Sequence, residues 1–391
     1  MKKFRIAQFI LFEKLKIYNS VKLLYIVNAR IPTEKAHGFQ IMKMCEAFSS
    51  QGVEVELVVP QRRTHLKQDA FSFYGLKESF GITYLQVPDV VRFGRIGFYL
   101  QTTMFALRVL FYGLRSNATI IYSRDSAVIF LLSFFRKVVL EVHNIPDRFL
   151  GIYAFALKKI YKIVSTNTWK KDFLVEHCYV SSERVFVFPN GIDLESFNLH
   201  EDRKVLSKRF GLSEEFRYIV YTGHLYEWKG AHVLAQAARV LGKGVRVIFV
   251  GGSQADIASF SSKYGCDQLI FVGQKPHEAI ADYLALASAV VLPNVPTTRE
   301  SVYATSPMKL FEYMAAKKPI IASDLPSIRE IIDDSCAQLF EAGNVEELAK
   351  SINAVLENDT YAEEISSCAY ERAKKYTWQQ RGAQIVEFIS P

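Results

Sequence analysis

Short, nearly uncharged runs of aliphatic and β-branched residues recur along this chain, and between them lie stretches whose apolar residues repeat at helical spacing. That alternation constrains the fold more than any other feature. Strands buried on both faces read as continuous apolar runs, and parallel strands need long, usually helical, crossovers. KLLYIVN (22–28) opens the series. A loop, ARIPTEKAH, leads to a helix-period segment, GFQIMKMCEAFSS (38–50), and Gln51-Gly52 supplies the stop expected just past a helix end. VEVELVV (53–59) then closes a βαβ unit of doubly wound type at Pro60. ITYLQV (82–87), TIIYSR (119–124), VVLEVHN (138–144), IVSTN (163–167) and RVFVFPNG (184–191) continue as strands, with a helix expected over 96–115. After a polar segment, 195–217, a second series begins: RYIVYTG (217–223), VRVIFVGG (245–252), QLIFVG (268–273), AVVLPN (289–294) and KPIIAS (318–323). TWQQRGAQIVEFI follows the last of these runs as a terminal helix.

Two such series predict an α/β protein of two Rossmann-like, doubly wound domains facing across a cleft. The length of 391 residues, more than one core usually supports, agrees. The expected limits are an extension over 1–20, a first domain over 21–197, a second over 198–373, and a C-terminal helix, 374–391, packing back on the first domain. The extension alternates apolar residues with lysines, which fits either an amphipathic membrane-surface helix or a helix packed on its own domain.

Net charge is +8, a modest excess that suits an anionic partner such as a nucleotide or an acidic membrane. It sits largely in the N-terminal half. Arg92, Arg95, Arg108 and Arg115 occur within 92–115 with no acid between them, interleaved with aromatic residues. That segment reads either as a face for a membrane carrying a lipid-linked acceptor or as a core-packed helix with solvated ends. No nucleic-acid-binding motif or dense basic stripe is present, so nucleic acid is not an expected partner. Five cysteines without a C-x-x-C pair read as reduced thiols of a cytoplasmic protein. The N-terminus lacks the pattern of a signal peptide, and the longest uncharged apolar runs (96–107, 126–135) are too short to span a bilayer. The expected location is cytoplasmic, with a peripheral hold on the inner face of the membrane as the further option.

Two segments carry chemistry. In TSPMKLFEYMAAKKPII (305–321), Ser306 suits an N-cap and Pro307 the first helical position. The N–H groups of a helix starting there, with Met308 and Lys309 in its first turn, form an anion site. Glu312, about one and a half turns further on, can accept hydrogen bonds from sugar hydroxyls beside a docked diphosphate. In YTGHLYEWKG (221–230), Gly223 permits a tight turn after a strand. Lys229 and His224 can both reach a phosphate at the C-terminal edge of the sheet, where ligands bind in open α/β folds. Each segment alone also fits an ordinary capped helix or a solvated loop.

Together with FPNGID (188–193), these segments resemble glycosyltransferase family 4, of the GT-B fold. That family shows G-R-L-x-x-x-K-G after the first strand of its second domain, a P-N-G-[IV]-D turn leaving the first, and a helix ending on a glutamate in a run like FEYMAAKKPII. The resemblance covers about residues 22–391. It implies a retaining, metal-independent transfer of a sugar from a nucleotide-diphosphate donor to a glycan or lipid-linked acceptor, with no cofactor beyond the donor. Lys229 then corresponds to the lysine that neutralises the donor diphosphate and Glu312 to the ribose ligand. Thr305, Ser306, Pro307, Met308 and Lys309 lie where amides meet the phosphates. His37 and Gly38 fall in the loop near the donor, Gln274 where the base is read, and Asn190 at the interdomain turn. His143 matches the histidine beside the reacting sugar, although a lone histidine at a strand end also fits a structural role. Arg124 and Asp125 end a strand on the same edge and are weaker candidates for the acceptor. The chain departs from the family twice. His224 stands where the family has arginine, so a permanent charge becomes pH-dependent. Ala304 stands where the family has a first glutamate, eight positions before Glu312. A silent donor-binding partner and a sugar-nucleotide epimerase of similar fold are the competing readings.

Overall fold

The structure, a computed structural model, describes residues 21–197 and 201–390. The expected extension over 1–20 lies outside the described residues. The chain divides into two compact units, one running to Pro189 and resuming at Trp378, the other comprising Asn190–Thr377.

The first unit is built on seven strands: β1 (Lys22–Ile26), β2 (Glu54–Pro60), β3 (Gly81–Leu85), β4 (Ile120–Ser123), β5 (Val138–Val142), β6 (Lys162–Ser165) and β7 (Val185–Val187). All pair in parallel in the order β3-β2-β1-β4-β5-β6-β7. The second unit has six: β8 (Arg217–Thr222), β9 (Val245–Val250), β10 (Leu269–Gly273), β11 (Ala289–Leu292), β12 (Ile320–Ser323) and β13 (Gln338–Phe340). These are also all parallel, in the order β10-β9-β8-β11-β12-β13. In each sheet the order reverses direction once, between β1 and β4 and between β8 and β11. Ligand crevices of doubly wound sheets open at such reversals, beyond the carboxyl ends of the strands.

The central strands are buried on both faces, and every residue of β5 and β11 is inaccessible. Each buried Val, Leu or Ile contributes on the order of 1.5–3 kcal/mol. That burial explains why the sequence of these strands does not alternate between apolar and polar.

The structure moves two expected limits. The first crossing between units comes at Pro189, not at 197, because Ile192 and Phe197 are buried in the core of the second unit. The return comes at Trp378, not at 374, because Tyr376 lies edge-on against Phe311 of the second unit, 5.2 Å between ring centroids. Ile192 pairs with Thr377 in an isolated bridge, so the two crossings lie side by side. β13 was not anticipated. It has three residues, too few to show a period.

The cysteine reading also needs correction. Cys336 and Cys368 form a disulfide with Cα atoms 5.0 Å apart, while Cys45, Cys178 and Cys266 are free thiols. The pair is 32 residues apart in sequence and is brought together by the helix Asp359–Ala373. Cysteine usage therefore no longer argues for a reducing compartment. No helix among the described residues is long and apolar enough to cross a membrane.

Candidate active site

In the second unit the candidate residues gather at the reversal between β8 and β11. The loop after β8 docks on the end of β11, where Val295 N donates to Trp228 O at 3.1 Å. Gly230 makes that approach possible. Its φ is +70°, and a Cβ there would lie 1.6 Å from the carbonyl oxygen of Pro293. The loop holds the half-buried Lys229, whose Nζ lies 3.7 Å from the centroid of the Trp228 ring. Burial pushes its pKa down to about 8.

Lys309 projects to the same place from the helix Met308–Ala315. Its Nζ is buried without a hydrogen-bond partner, 4.1 Å from the centroid of the Tyr221 ring, and 3.2 Å from where a Cβ on Gly223 would stand. Burial, reinforced by the charge of Lys229 and partly offset by Glu312, holds its pKa well below the ordinary lysine value. The side-chain amide of Asn294, just past β11, is likewise buried and without a partner at either atom. Unsatisfied buried polar groups are rare in folded proteins and call for an explanation. Here two belong to the strand-end loops and helix start where an anion would bind.

The helix begins at Met308, with Pro307 and not Ser306 in the capping position. Ser306 has a different task. Its hydroxyl accepts from Asn190 N at 3.3 Å, and its carbonyl accepts from Asn190 Nδ2 at 2.7 Å. Asn190 thus ties the turn at the unit boundary to the start of the helix. Thr305 Oγ1 bonds Ser327 Oγ at 3.2 Å. Ala304 is buried, ending a short π-helical turn, Glu300–Ala304. Gln274 is exposed just past β10. His224 is exposed and stacks on Tyr226, with centroids 4.8 Å apart. Glu312 is buried, and its Oε1 lies 3.2 Å from His277 Nε2. The sequence motifs do not single out His277. The available signal was its place three residues beyond Gln274, at the start of the helix after β10.

In the first unit a polar network lies under His143. Glu141, fully buried in β5, accepts from His143 Nε2 at 2.8 Å, Tyr122 Oη at 2.6 Å, Gln40 Nε2 at 3.2 Å and Arg381 at 2.7 Å. Burial pushes the pKa of Glu141 up, but the combined pull of Arg381, His143 and Arg124 outweighs it and holds the carboxyl well below its usual range. Burial and then the Arg124 charge lower the His143 pKa to about 3, against the pull of Glu141. His143 is therefore neutral at ordinary pH and donates its Nε2–H to Glu141, which assigns the basic lone pair to Nδ1. Arg124 also donates to Gln40 Oε1 at 2.7 Å. Asp125 Oδ2 accepts from Asn28 N at 2.7 Å, directly at the reversal between β1 and β4. His37 has its pKa lowered to about 4 by burial, then by Arg124, Lys35 and Arg62. Gly38 is a packing residue, since a Cβ there would fall 2.2 Å from Tyr74 Oη. Neither Glu141 nor Arg381 was anticipated. An acid inside an apolar strand run, LEVHN, was the visible clue.

Comparison with known proteins gives the family and the fold. Residues 38–196 fit the family model described as Glycosyltransferase Family 4, and residues 202–372 the one described as Glycosyl transferases group 1. TuaC of Bacillus subtilis, assigned by name to teichuronic acid biosynthesis, is 27% identical over 186 residues, covering 47% of this chain and 45% of its own. The phosphatidyl-myo-inositol mannosyltransferase of Mycolicibacterium smegmatis is 27% identical over 203 residues, 51% of this chain and 50% of its own. The chain thus spans about half the length of these relatives. Among solved structures, Anabaena HepE in complex with UDP superposes with a TM-score of 0.74 at 16% identity, covering 95% of this chain and all of that one, a likeness of fold.

Proposed function

The chain belongs to glycosyltransferase family 4, and on that premise we propose that it moves a sugar from a nucleoside-diphosphate donor to a glycan or lipid-linked acceptor, retaining the anomeric configuration and using no metal. The observation that carries this reading is the convergence of Lys309 and Lys229 at the reversal of the second sheet, beside the start of the Met308 helix. Two lysines that converge there, Lys229 from the loop after β8 and Lys309 from the Met308 helix, the latter without any hydrogen bond at its Nζ, suit a ligand with two or more negative charges. In this reading Glu312, steered by His277, takes the ribose hydroxyls, and Gln274 lies at the base.

The chemistry then follows from charge. The bond between the anomeric carbon and the phosphate oxygen breaks, and negative charge grows on the departing diphosphate. Lys229, Lys309, His224 and the amides at Met308 oppose that charge, the kind of preorganised stabilisation that dominates many enzymes. The acceptor hydroxyl attacks the same face, and its proton passes to the leaving phosphate oxygen. Neutral His143 positions the donor sugar or assists at the acceptor. Arg124 and Asp125 are proposed on the acceptor side. The names of relatives in wall-polymer and phosphoinositide glycosylation support a place in cell-surface polysaccharide or glycoconjugate synthesis.

Thermal-shift screening against nucleotide sugars tests the reading. Stabilisation by at least one nucleoside diphosphate is expected, weakened about ten- to a hundredfold in affinity by Lys229→Ala and by Glu312→Ala, the cost of a charge-assisted hydrogen bond each. Absence of nucleotide binding would sink the proposal. Binding without turnover across a broad acceptor panel would instead favour the silent partner that Ala304 suggests.

We propose further that the protein sits peripherally on the cytoplasmic face of the membrane through the helix Gly94–Arg115. Its buried stripe is Gly97, Gln101, Phe105, Val109 and Gly113. Beside it an apolar stripe, Ile96, Leu100, Leu107, Phe111 and Leu114, is exposed. Exposed Arg95, Arg108 and Arg115 add the charge that attracts anionic lipid. Co-sedimentation with anionic vesicles is expected at low salt, with release at high salt. No co-sedimentation at low salt would remove the idea.

A further inference from the structure

The first unit holds a cavity of about 540 Å³ that none of the candidate donor residues lines. It opens where β2 and β3 end and the helix Gly94–Arg115 passes, on the same carboxyl edge as Asp125 and His143. Its walls include Arg62, Arg63, Gln86, Pro88, Asp89 and Arg108. A second cavity, about 590 Å³, adjoins it through Arg108 and adds Arg115 beside the exposed ring of Phe111.

Among the described residues, no carboxylate is bonded to the three guanidinium groups of the first cavity. Arg62 is held by two neutral amide oxygens, Asn28 Oδ1 at 2.6 Å and Gln101 Oε1 at 2.7 Å. Its Nε is buried and makes no hydrogen bond. The carboxylates that face it are engaged by backbone amides, Asp89 with Arg63 N at 2.9 Å and Asp125 with Asn28 N at 2.7 Å. The side chains of Arg63 and Arg108 are exposed and form no ion pair among the described residues. Against three fixed positive charges the cavity sets one carboxylate, Asp89. A protein interior or rim balances such an excess with an anion, and guanidinium forks match phosphate oxygens in pairs. Arg62 is also one of the charges that depress the His37 pKa.

We infer that this cavity is an acceptor subsite that takes a phosphate or diphosphate group, with Arg62, Arg63 and Arg108 as its ligands. The acceptor is then a phosphorylated molecule, free or lipid-borne, and not a neutral glycan. This rests on the glycosyltransferase reading above. Arg62 is fixed in place by Asn28 and Gln101, while Arg63 and Arg108 are free to close on the group.

Binding of inorganic pyrophosphate to the full chain, by calorimetry, tests this. The titration is made in Lys229→Ala/Lys309→Met protein, so that neither donor lysine contributes. Pyrophosphate is expected to bind, and adding R63A and R108A together to weaken it at least tenfold, while R63K/R108K keeps most of the affinity. Both side chains are exposed and unpaired, so the thermal unfolding of the R63A/R108A protein and its affinity for UDP should match those of the parent. Failure of the Lys229→Ala/Lys309→Met protein to bind pyrophosphate, or affinity indifferent to R63A/R108A, overturns the inference. UDP affinity unmoved by Lys229→Ala would instead count against the donor-site reading alone. A second arm separates the sources. Phosphatidylcholine vesicles with a tenth of phosphatidic acid that retain the parent but not R63A, whose arginine lies outside the helix Gly94–Arg115, identify a lipid phosphate. Pyrophosphate binding with no preference for those vesicles identifies a soluble phosphorylated acceptor.

Discussion

Arg381→Met is expected to destabilise the first unit by about 3–5 kcal/mol, the usual cost of removing one partner from a buried ion pair. Arg381 and Glu141 are 3% and 0% exposed, and they meet at 2.7 Å. The arginine also donates to Pro189 O at 2.8 Å. Without it, Glu141 keeps the donors of Tyr122, Gln40 and His143 but loses the one permanent charge bonded to it. A buried carboxylate without a cation must neutralise or attract water, and either change disturbs the strand that carries His143. Glu141→Gln combined with Arg381→Met leaves no buried charge, so the pair should cost less than the sum of the single changes. Urea unfolding of the four proteins gives that coupling directly. A single-variant loss below about 1 kcal/mol, or strict additivity, would show that the pair does not support the unit.

The same network makes the first unit acid-sensitive. His143 titrates near 6.5 in the unfolded chain and at about 3 when folded, so the unfolded state binds its proton first. Stability therefore falls as pH drops below about 6.5 and continues to fall towards 3. Glu141 acts in the same direction lower down. Its folded pKa lies below the unfolded value, so its contribution is present above roughly 4.3 and is lost as pH falls through the folded value.

What the sequence disclosed depended on period and on punctuation. Twelve of the strands were visible as apolar runs, because parallel strands under helices bury both faces. β13 was not, since Gln338–Phe340 is too short to carry a pattern. The loops Gly223–Gly230 and Thr305–Glu312 were found because glycine, proline and charge mark a turn into a helix. The partners of these residues were not found. His277 reaches Glu312 from the helix after β10, Asn190 reaches Ser306 across more than a hundred residues, and Arg381 reaches Glu141 across more than two hundred. Such pairs are set by the topology of the sheets, and a linear spacing holds no record of them. The disulfide between Cys336 and Cys368 escaped for the same reason.

Nucleoside-diphosphate affinity is expected to fall steeply as pH rises from 7 to 9, with binding that takes up protons. Lys229 has its free-state pKa pushed down to about 8 by burial, and Lys309 is held well below the ordinary lysine value by burial and by Lys229. Glu312 faces Lys309 and moderates the effect, while the Tyr221 ring beneath it offers no full charge. A bound diphosphate favours the charged form of both lysines, so their pKa values rise on binding. Below the free-state pKa of a lysine the proton is already present and affinity is flat in pH. Between the free and bound values each lysine costs a factor of ten in affinity per pH unit, about 1.4 kcal/mol. The ligand's own last phosphate proton leaves near pH 6, below this window, so the slope belongs to the protein. Calorimetry in buffers of different ionisation enthalpy counts the protons. Proton uptake is expected at pH 8.5, and Lys309→Met should reduce it, leaving the step near pH 8 that Lys229 supplies. Affinity constant from pH 7 to 9 with no proton uptake would mean that neither lysine meets the diphosphate.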